Sequence, residues 1–323
     1  MKTAKIGLLG FGNVGGGTYK ILTDNKEIIE KRVGVSPEVV KILQRNRKKK
    51  RFTEADLSLL TEDPDDIIKD PDIDIVVEML GGIEPATSFM VQSMKEGKHV
   101  VSANKAAIAA NYRLLTDTAR ENGVEFLYEA SVAGGIPVLT AITGALQSNN
   151  FVEVMGILNG TTNYILTKMS VEGLSYEEVL KDAQAKGFAE ADPTADVEGL
   201  DAANKLSILM ALAFDHYIAP EDIPTAGISK ITEDDISSAK SENKVIKLIG
   251  KASAEDGNLT YSVKPMLLDK EHPLASVNNE FNAVYITGDM VGELMFYGKG
   301  AGPLPTGSAV CGDILSIMKD MEV

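Results

Sequence analysis

The sequence predicts an α/β protein, a doubly wound parallel-sheet domain joined to an α+β domain, and three observations predict it. An apolar strand at 4–9 leads through Gly10, Gly12 and Gly15, spaced as G-x-G-x-x-G, into a helix reaching about Asn25. Short apolar runs at 39–43, 73–79, 99–103 and 124–128 follow, with amphipathic helical stretches at 85–95 and 112–122 between the later ones, the pattern of parallel β-α-β units. Beyond Tyr128 the pattern changes, and runs at 259–267, 281–288 and 291–296 alternate as strands of an antiparallel sheet.

Taken in order, the glycine-rich turn carries the first chemistry. Gly10 permits a tight turn, Gly12 lets a backbone approach a pyrophosphate, and Gly15 lets the helix pack closely on the strand. Gly10, Phe11, Gly12, Asn13, Val14 and Gly15 therefore form the expected dinucleotide cradle, with the phosphates at the helix N-terminus. At the end of the second strand an acid would hold the ribose hydroxyl of NAD, whereas a base would accept the extra phosphate of NADP. The chain there reads Arg45, Asn46, Arg47, Lys48, Lys49, Lys50, Arg51, so NADP is expected, with NAD possible and Arg45 as the phosphate reader.

A hinge-like stretch, Ser131 to Gly135 with Ile136 and Pro137, precedes an apolar helix to about Gln147. A strand at 152–158 follows, and the polar turn Asn159, Gly160, Thr161, Thr162, Asn163 opens another helix. Ser175 and Glu178 have capping-box spacing before a helix that Gly187 should end. The glycines 298, 300 and 302 with Pro303 and Pro305 mark a bend, after which 308–318 should return to the first domain. The expected domains are 1–133 with 300–323, and 134–299.

The densest polar constellation lies at 187–205, GFAEADPTADVEGLDAANK, which gathers Glu190, Asp192, Asp196, Asp201 and Lys205. Asp201 and Lys205 are four residues apart and share a helix face, while Leu206, Leu209, Met210 and Ala213 form an apolar stripe for the core. One amine and several carboxylates could thus face a common pocket. The bland alternative is a solvated pair adding roughly 0.2–0.5 kcal/mol to the helix.

Composition narrows the function classes. At 323 residues the chain suffices for two domains, and its 44% hydrophobic content is that of a globular protein. A net charge of −15 disfavours nucleic acid and anionic membrane surfaces as partners. A single cysteine, Cys311, excludes an internal disulfide framework and any cysteine-based zinc site. His99, His216 and His272 have no metal-ligand spacing. No apolar run approaches the roughly 20 residues of a membrane span, and no signal-peptide pattern precedes the first strand, so a cytoplasmic location is expected.

Six segments together carry a resemblance over essentially the whole chain: GFGNVG at 10–15, SANK at 102–105, YEASVAGGIPV at 128–138, ILNGTTNYIL at 157–166, the 187–205 stretch and GAGPLPT at 300–306. The sequence resembles the homoserine dehydrogenases. The resemblance implies NAD(P)-dependent interconversion of L-aspartate 4-semialdehyde and L-homoserine, the branch step toward threonine and methionine, by a homodimer joined through the second-domain sheet. It implies that Lys205 is the catalytic acid/base and that Glu190 and Asp201 hold the substrate's amino and hydroxyl groups. Lys105 matches a second lysine where nicotinamide and substrate meet, next to Ser102. Gly187 and Gly302 match glycines that contact cofactor or substrate. Glu129, Val132, Gly134 and Ile136 match positions offering mostly backbone carbonyls to a monovalent cation, sodium or potassium. Asn46 stands where many members carry an acid, and the chain matches a short form lacking a C-terminal regulatory domain.

Two competitors can be weighed on residues. A phosphorylating semialdehyde dehydrogenase needs a cysteine nucleophile, whereas Cys311 lies in an apolar segment and reads as a core residue. A non-catalytic NADP-binding sensor of the same fold would have no reason to hold Lys205, Glu190 and Asp201 together.

Overall fold

The structure, a computed structural model, describes residues 1–44, 52–255 and 257–321. They form two units, Met1–Gly135 with Ala301–Val323, and Ile136–Gly300. The first unit runs β1 (Lys2–Leu9), α1 (Asn13–Asp24), α2 (Lys26–Val33), β2 (Val35–Leu43), β3 (Leu60–Thr61), α3 (Asp65–Ile68), β4 (Ile75–Glu78), α4 (Ala86–Lys95), β5 (His99–Ser102), α5 (Lys105–Ala110), α6 (Tyr112–Asn122) and β6 (Phe126–Leu127). Every pairing is parallel and the spatial order is β3-β2-β1-β4-β5-β6. The order reverses between β1 and β4, and ligands of such sheets bind beyond the carboxyl ends of the strands at that reversal.

This unit differs from the sequence reading in the short elements β3, α3 and α5, which were not expected, and at the start of its second strand. Helix α2 was not expected, and it hands the chain through Gly34, at φ 78°, directly into β2, which starts at Val35 rather than Val39. Pro37 is tolerated there because the early part of β2 pairs only with β1, so a missing N–H on its other edge breaks no ladder.

The second unit contains α7 (Val138–Thr140), β7 (Phe151–Ile157), α8 (Gly160–Glu172), α9 (Tyr176–Ala185), α10 (Thr194–Val197), α11 (Leu200–Ala213), α12 (Glu233–Ser241), β8 (Lys244–Glu255), β9 (Asn258–Asp269), β10 (Phe281–Gly288) and β11 (Gly292–Lys299). Its sheet is antiparallel in the order β11-β10-β7-β8-β9. The expected helix to Gln147 is instead a single α turn followed by a wider π turn at Ala141–Ala145, in which Leu146 N donates to Ala141 O. Strand β8 was missed because residues 246–250 are buried on both faces, so the strand has no polar–apolar alternation. Ser175 caps α9 in a capping box with Glu178, and Gly187 follows at φ 76°, both as the spacing requires.

The last helix, α13 (Pro303–Asp320), returns to the first unit and starts earlier than expected, its two prolines sitting where a helix has no N–H to satisfy. Val310, Ile314, Ile317 and Met318 join Ile6, Leu8, Ile75 and Val77 in one core. α13 packs tightly on α1 at Gly17, where a Cβ would lie 1.9 Å from Pro303 O and 2.5 Å from its carbonyl carbon. Helix propensity alone would make Gly17→Ala stabilising by up to about 1 kcal/mol. The backbone clash reverses the sign: a loss of about 2 kcal/mol is expected in urea unfolding, and an unchanged midpoint would contradict the packing described.

Candidate active site

The first unit supplies a phosphate cradle. Gly10 stands at φ 112°, and a Cβ there would press 2.8 Å from Met79 O at the end of β4. A Cβ on Gly15 would lie 2.3 Å from Gly10 O, so α1 rests directly on the turn. Gly12 meets nothing within 4 Å and caps α1 from an exposed position. That open space, before the N–H groups of the first turn of α1, is where a pyrophosphate would sit. Phe11 is buried and packs edge-on against Tyr19, while Asn13 is exposed and Val14 half-buried. Arg45, with the rest of the basic run to Arg51, lies outside the described residues.

At the ends of β4 and β5 a buried polar knot appears that the sequence reading did not single out. Glu78, fully buried, accepts from Ser102 Oγ at 2.7 Å, Leu80 N at 2.7 Å and Asn104 Nδ2 at 3.3 Å. Burial pushes its carboxyl above the usual range, opposed by these donors. Asn104 also donates to Gly82 O at 2.7 Å and caps α5 through Ala107 N at 3.2 Å. Lys105 is the first residue of that helix and is half-buried. The signal in the sequence was an acid ending an apolar strand run, IVVE.

The stretch from Glu129 forms one buried turn and then bends through Ala133 and Gly134, at φ 55° and 59°. Glu129 O accepts from Val132 N at 3.3 Å, and Glu129 N donates to Asp313 Oδ2 at 2.8 Å. Burial pushes the Asp313 carboxyl up to about 8, and the charge of Glu129 pushes the same way. In the second unit Ile136 O accepts from Val138 N at 2.8 Å. Among the described residues no group of three or more His, Cys, Asp and Glu side chains could hold a metal ion. Gly302, at φ 125°, precedes α13 and has the proline ring of Pro305 3.3 Å from where its Cβ would be.

The second unit holds the amine. Gly199, at φ 83°, starts α11, and one turn apart on that helix Lys205 Nζ lies 2.7 Å from Asp201 Oδ2, with side chains only 9% and 6% exposed. Lys205 Nζ also donates to Leu158 O, at the end of β7, at 2.6 Å. Asn282 Nδ2, from β10, donates to the same carbonyl at 3.0 Å. The following residue, Asn159, donates from Nδ2 to Asp196 Oδ1 at 2.7 Å and Asp201 Oδ2 at 2.8 Å. Thr161 Oγ1 completes the hold on Asp196 at 3.1 Å.

The structure therefore brings together Lys205, Asp201 and Asp196, but not the remaining acids of the constellation. Asp192 is exposed and caps the turn at Thr194, whose hydroxyl and N–H hold its carboxyl below the usual range. Glu190 is exposed, and its backbone carbonyl accepts from Gln184 Nε2 at 3.1 Å. Gly187 is exposed after α9.

Family models described as homoserine dehydrogenase and as the homoserine dehydrogenase NAD-binding domain match residues 137–315 and 10–129. The chain is 47% identical over its full length to homoserine dehydrogenase of Bacillus subtilis, covering 75% of that protein. Its fold matches a homoserine dehydrogenase crystal structure from Thiobacillus denitrificans with a TM-score of 0.96 at 42% identity, over all of this chain and 74% of that one. A hyperthermophilic archaeal homoserine dehydrogenase in complex with NADPH matches with a TM-score of 0.81 at 26% identity, over 99% of this chain and 98% of that one.

Breaking a buried ion pair from one side leaves an uncompensated charge, which is more costly than never having had the pair. Asp201→Asn should therefore lower the stability of the folded chain by about 3 kcal/mol in urea unfolding. A change no larger than that of an exposed pair would show that the pair is solvated.

Proposed function

The chain belongs to the homoserine dehydrogenase family, and from that premise we infer how its residues interconvert L-aspartate 4-semialdehyde and L-homoserine with a nicotinamide cofactor. The observation that carries the reading is the buried amine of Lys205, held by Asp201 Oδ2 and Leu158 O. The chemistry a reduced nicotinamide would supply when bound there is a hydride for the aldehyde carbon. The carbonyl oxygen then takes up a proton, and Lys205 is assigned as its donor; in the oxidising direction the same amine takes the proton back from the hydroxyl. Asp201 holds that amine and, with Glu190 and Gly187, contributes to substrate binding.

The cradle fits a dinucleotide because only Gly12 of the three motif glycines faces open space. Gly10, Phe11, Gly12, Asn13, Val14 and Gly15 are assigned to the pyrophosphate, with Ser102, Lys105, Gly187 and Gly302 toward the nicotinamide end. Lys105 doubles as the second catalytic lysine, placed by the Asn104 cap. The basic run from Arg45 supports NADP as the preferred cofactor.

A monovalent cation would be held by carbonyls of Glu129, Val132, Gly134 and Ile136. The reading is supported by the backbone there, which is bent by two successive left-handed residues. A homodimer through the second-unit sheet is supported by Met295 and Tyr297 on β11, which are 40% and 53% exposed, with Tyr297 stacked on Phe281.

Initial rates of cofactor oxidation with L-aspartate 4-semialdehyde, NADPH and NADH in parallel, test the reading. Faster NADPH oxidation with homoserine as product is expected, and faster NADH turnover would overturn the assignment of Arg45. Lys205→Ala should lower kcat by a factor on the order of 10²–10⁴ with cofactor binding retained. A variant that still turns over at the parental rate would remove Lys205 from the chemistry.

A further inference from the structure

The turn from β7 to α8 grips the Asp201–Lys205 pair at both ends. Leu158 O accepts from the lysine, and the next side chain, Asn159, donates to the aspartate. Asn159 is 5% exposed and every hydrogen-bonding capacity of its amide is engaged. Its two Nδ2 hydrogens serve Asp196 Oδ1 and Asp201 Oδ2, and its Oδ1 accepts from Thr162 N at 2.9 Å and Thr162 Oγ1 at 3.1 Å. Turning the amide over would set its oxygen against two carboxylates and its NH₂ against the N–H of α8, so one orientation is allowed.

This gives the amide two separable tasks. As N-cap it satisfies an N–H of α8. As a double donor it fixes Asp201 Oδ2, the same oxygen that receives the Lys205 amine, and ties it to Asp196 on α10. A cap needs only an oxygen, which Asp or Ser supplies as well as Asn. A donor aimed at two carboxylates is not needed by the cap. We propose that Asn159 is a positioning residue for the reaction, setting Asp201 and through it the direction of the Lys205 amine. The proposal rests on Lys205 being the proton donor. Asn159 itself need touch neither substrate nor cofactor.

The two tasks come apart in cap-preserving variants. Asn159→Asp keeps the cap but presents an acceptor to Asp196 and Asp201, and Asn159→Ser keeps the cap but gives up the double donation. Both should lower kcat, by a factor on the order of 10–100 for a misplaced catalytic group. The dissociation constant for NADPH should stay close to the parent, Asn159→Ser should lose less thermal midpoint than Asn159→Ala, which gives up the cap as well, and Asn159→Ala should lose kcat and stability together. Should three clustered carboxylates prevent Asn159→Asp from folding, Asn159→Ser decides alone. Parental kcat in a folded cap-preserving variant, with stability lost in Asn159→Ala only, would reduce Asn159 to a cap and overturn the proposal. Lys205→Ala measured alongside separates the two failures: if it keeps turnover the donor assignment is wrong, whereas if it is inactive and Asn159→Ser is not, only the positioning role is.

Discussion

The buried ion pair between Lys205 and Asp201 is the constraint around which the second unit is arranged. Taking an ammonium and a carboxylate out of water costs several kcal/mol each, and their attraction recovers this only when geometry is good and the remaining donors and acceptors are satisfied. A pair of apolar side chains would stabilise α11 at least as well. What the pair provides is an amine of fixed position, and the neighbouring structure adds a carbonyl at the end of β7 that accepts from the lysine and an amide at the cap of α8 that donates to the aspartate.

The sheet explains why those groups can be held so closely. Leu158 follows β7, which is flanked by β10 and β8, and its carbonyl is further engaged by Asn282 from β10. Gly250 on β8 leaves room for the Leu158 side chain, whose Cδ1 would be 3.0 Å from an added Cβ, and Leu206 of α11 approaches the same point. The helix bearing the ion pair is thus seated on a strand surface with little freedom to shift. In the first unit the corresponding device is the knot of Glu78, Ser102 and Asn104, which joins the ends of β4 and β5 to the first residue of α5.

Where the sequence was legible, the cause was local. Gly10, Gly12 and Gly15 each answer a different backbone demand, and all three demands are visible in the folded chain as a positive φ, an open space and a close approach. The capping box at Ser175 and the pairing of Asp201 with Lys205 follow from spacing alone. What was hidden depended on distant partners. Asn159 looked like a turn residue, and its double donation is set by residues 37 and 42 positions away. Glu78 reads as the end of a strand until Ser102 and Asn104 are placed beside it. Strand β8 escaped because burial on both faces erases alternation. Asp192 and Asp196 looked equivalent in the sequence, yet only Asp196 is turned into the buried network.

The most direct test of the account is a crystal structure with NADPH-derived cofactor and L-homoserine bound. The hydroxyl oxygen of homoserine should lie within about 2.6–3.2 Å of Lys205 Nζ, directly or through one water, with Asp201 Oδ2 still on the same amine. A hydroxyl bound to another donor, with Lys205 buried in an unchanged pair out of its reach, would show that the pair is structural and that the proton comes from elsewhere.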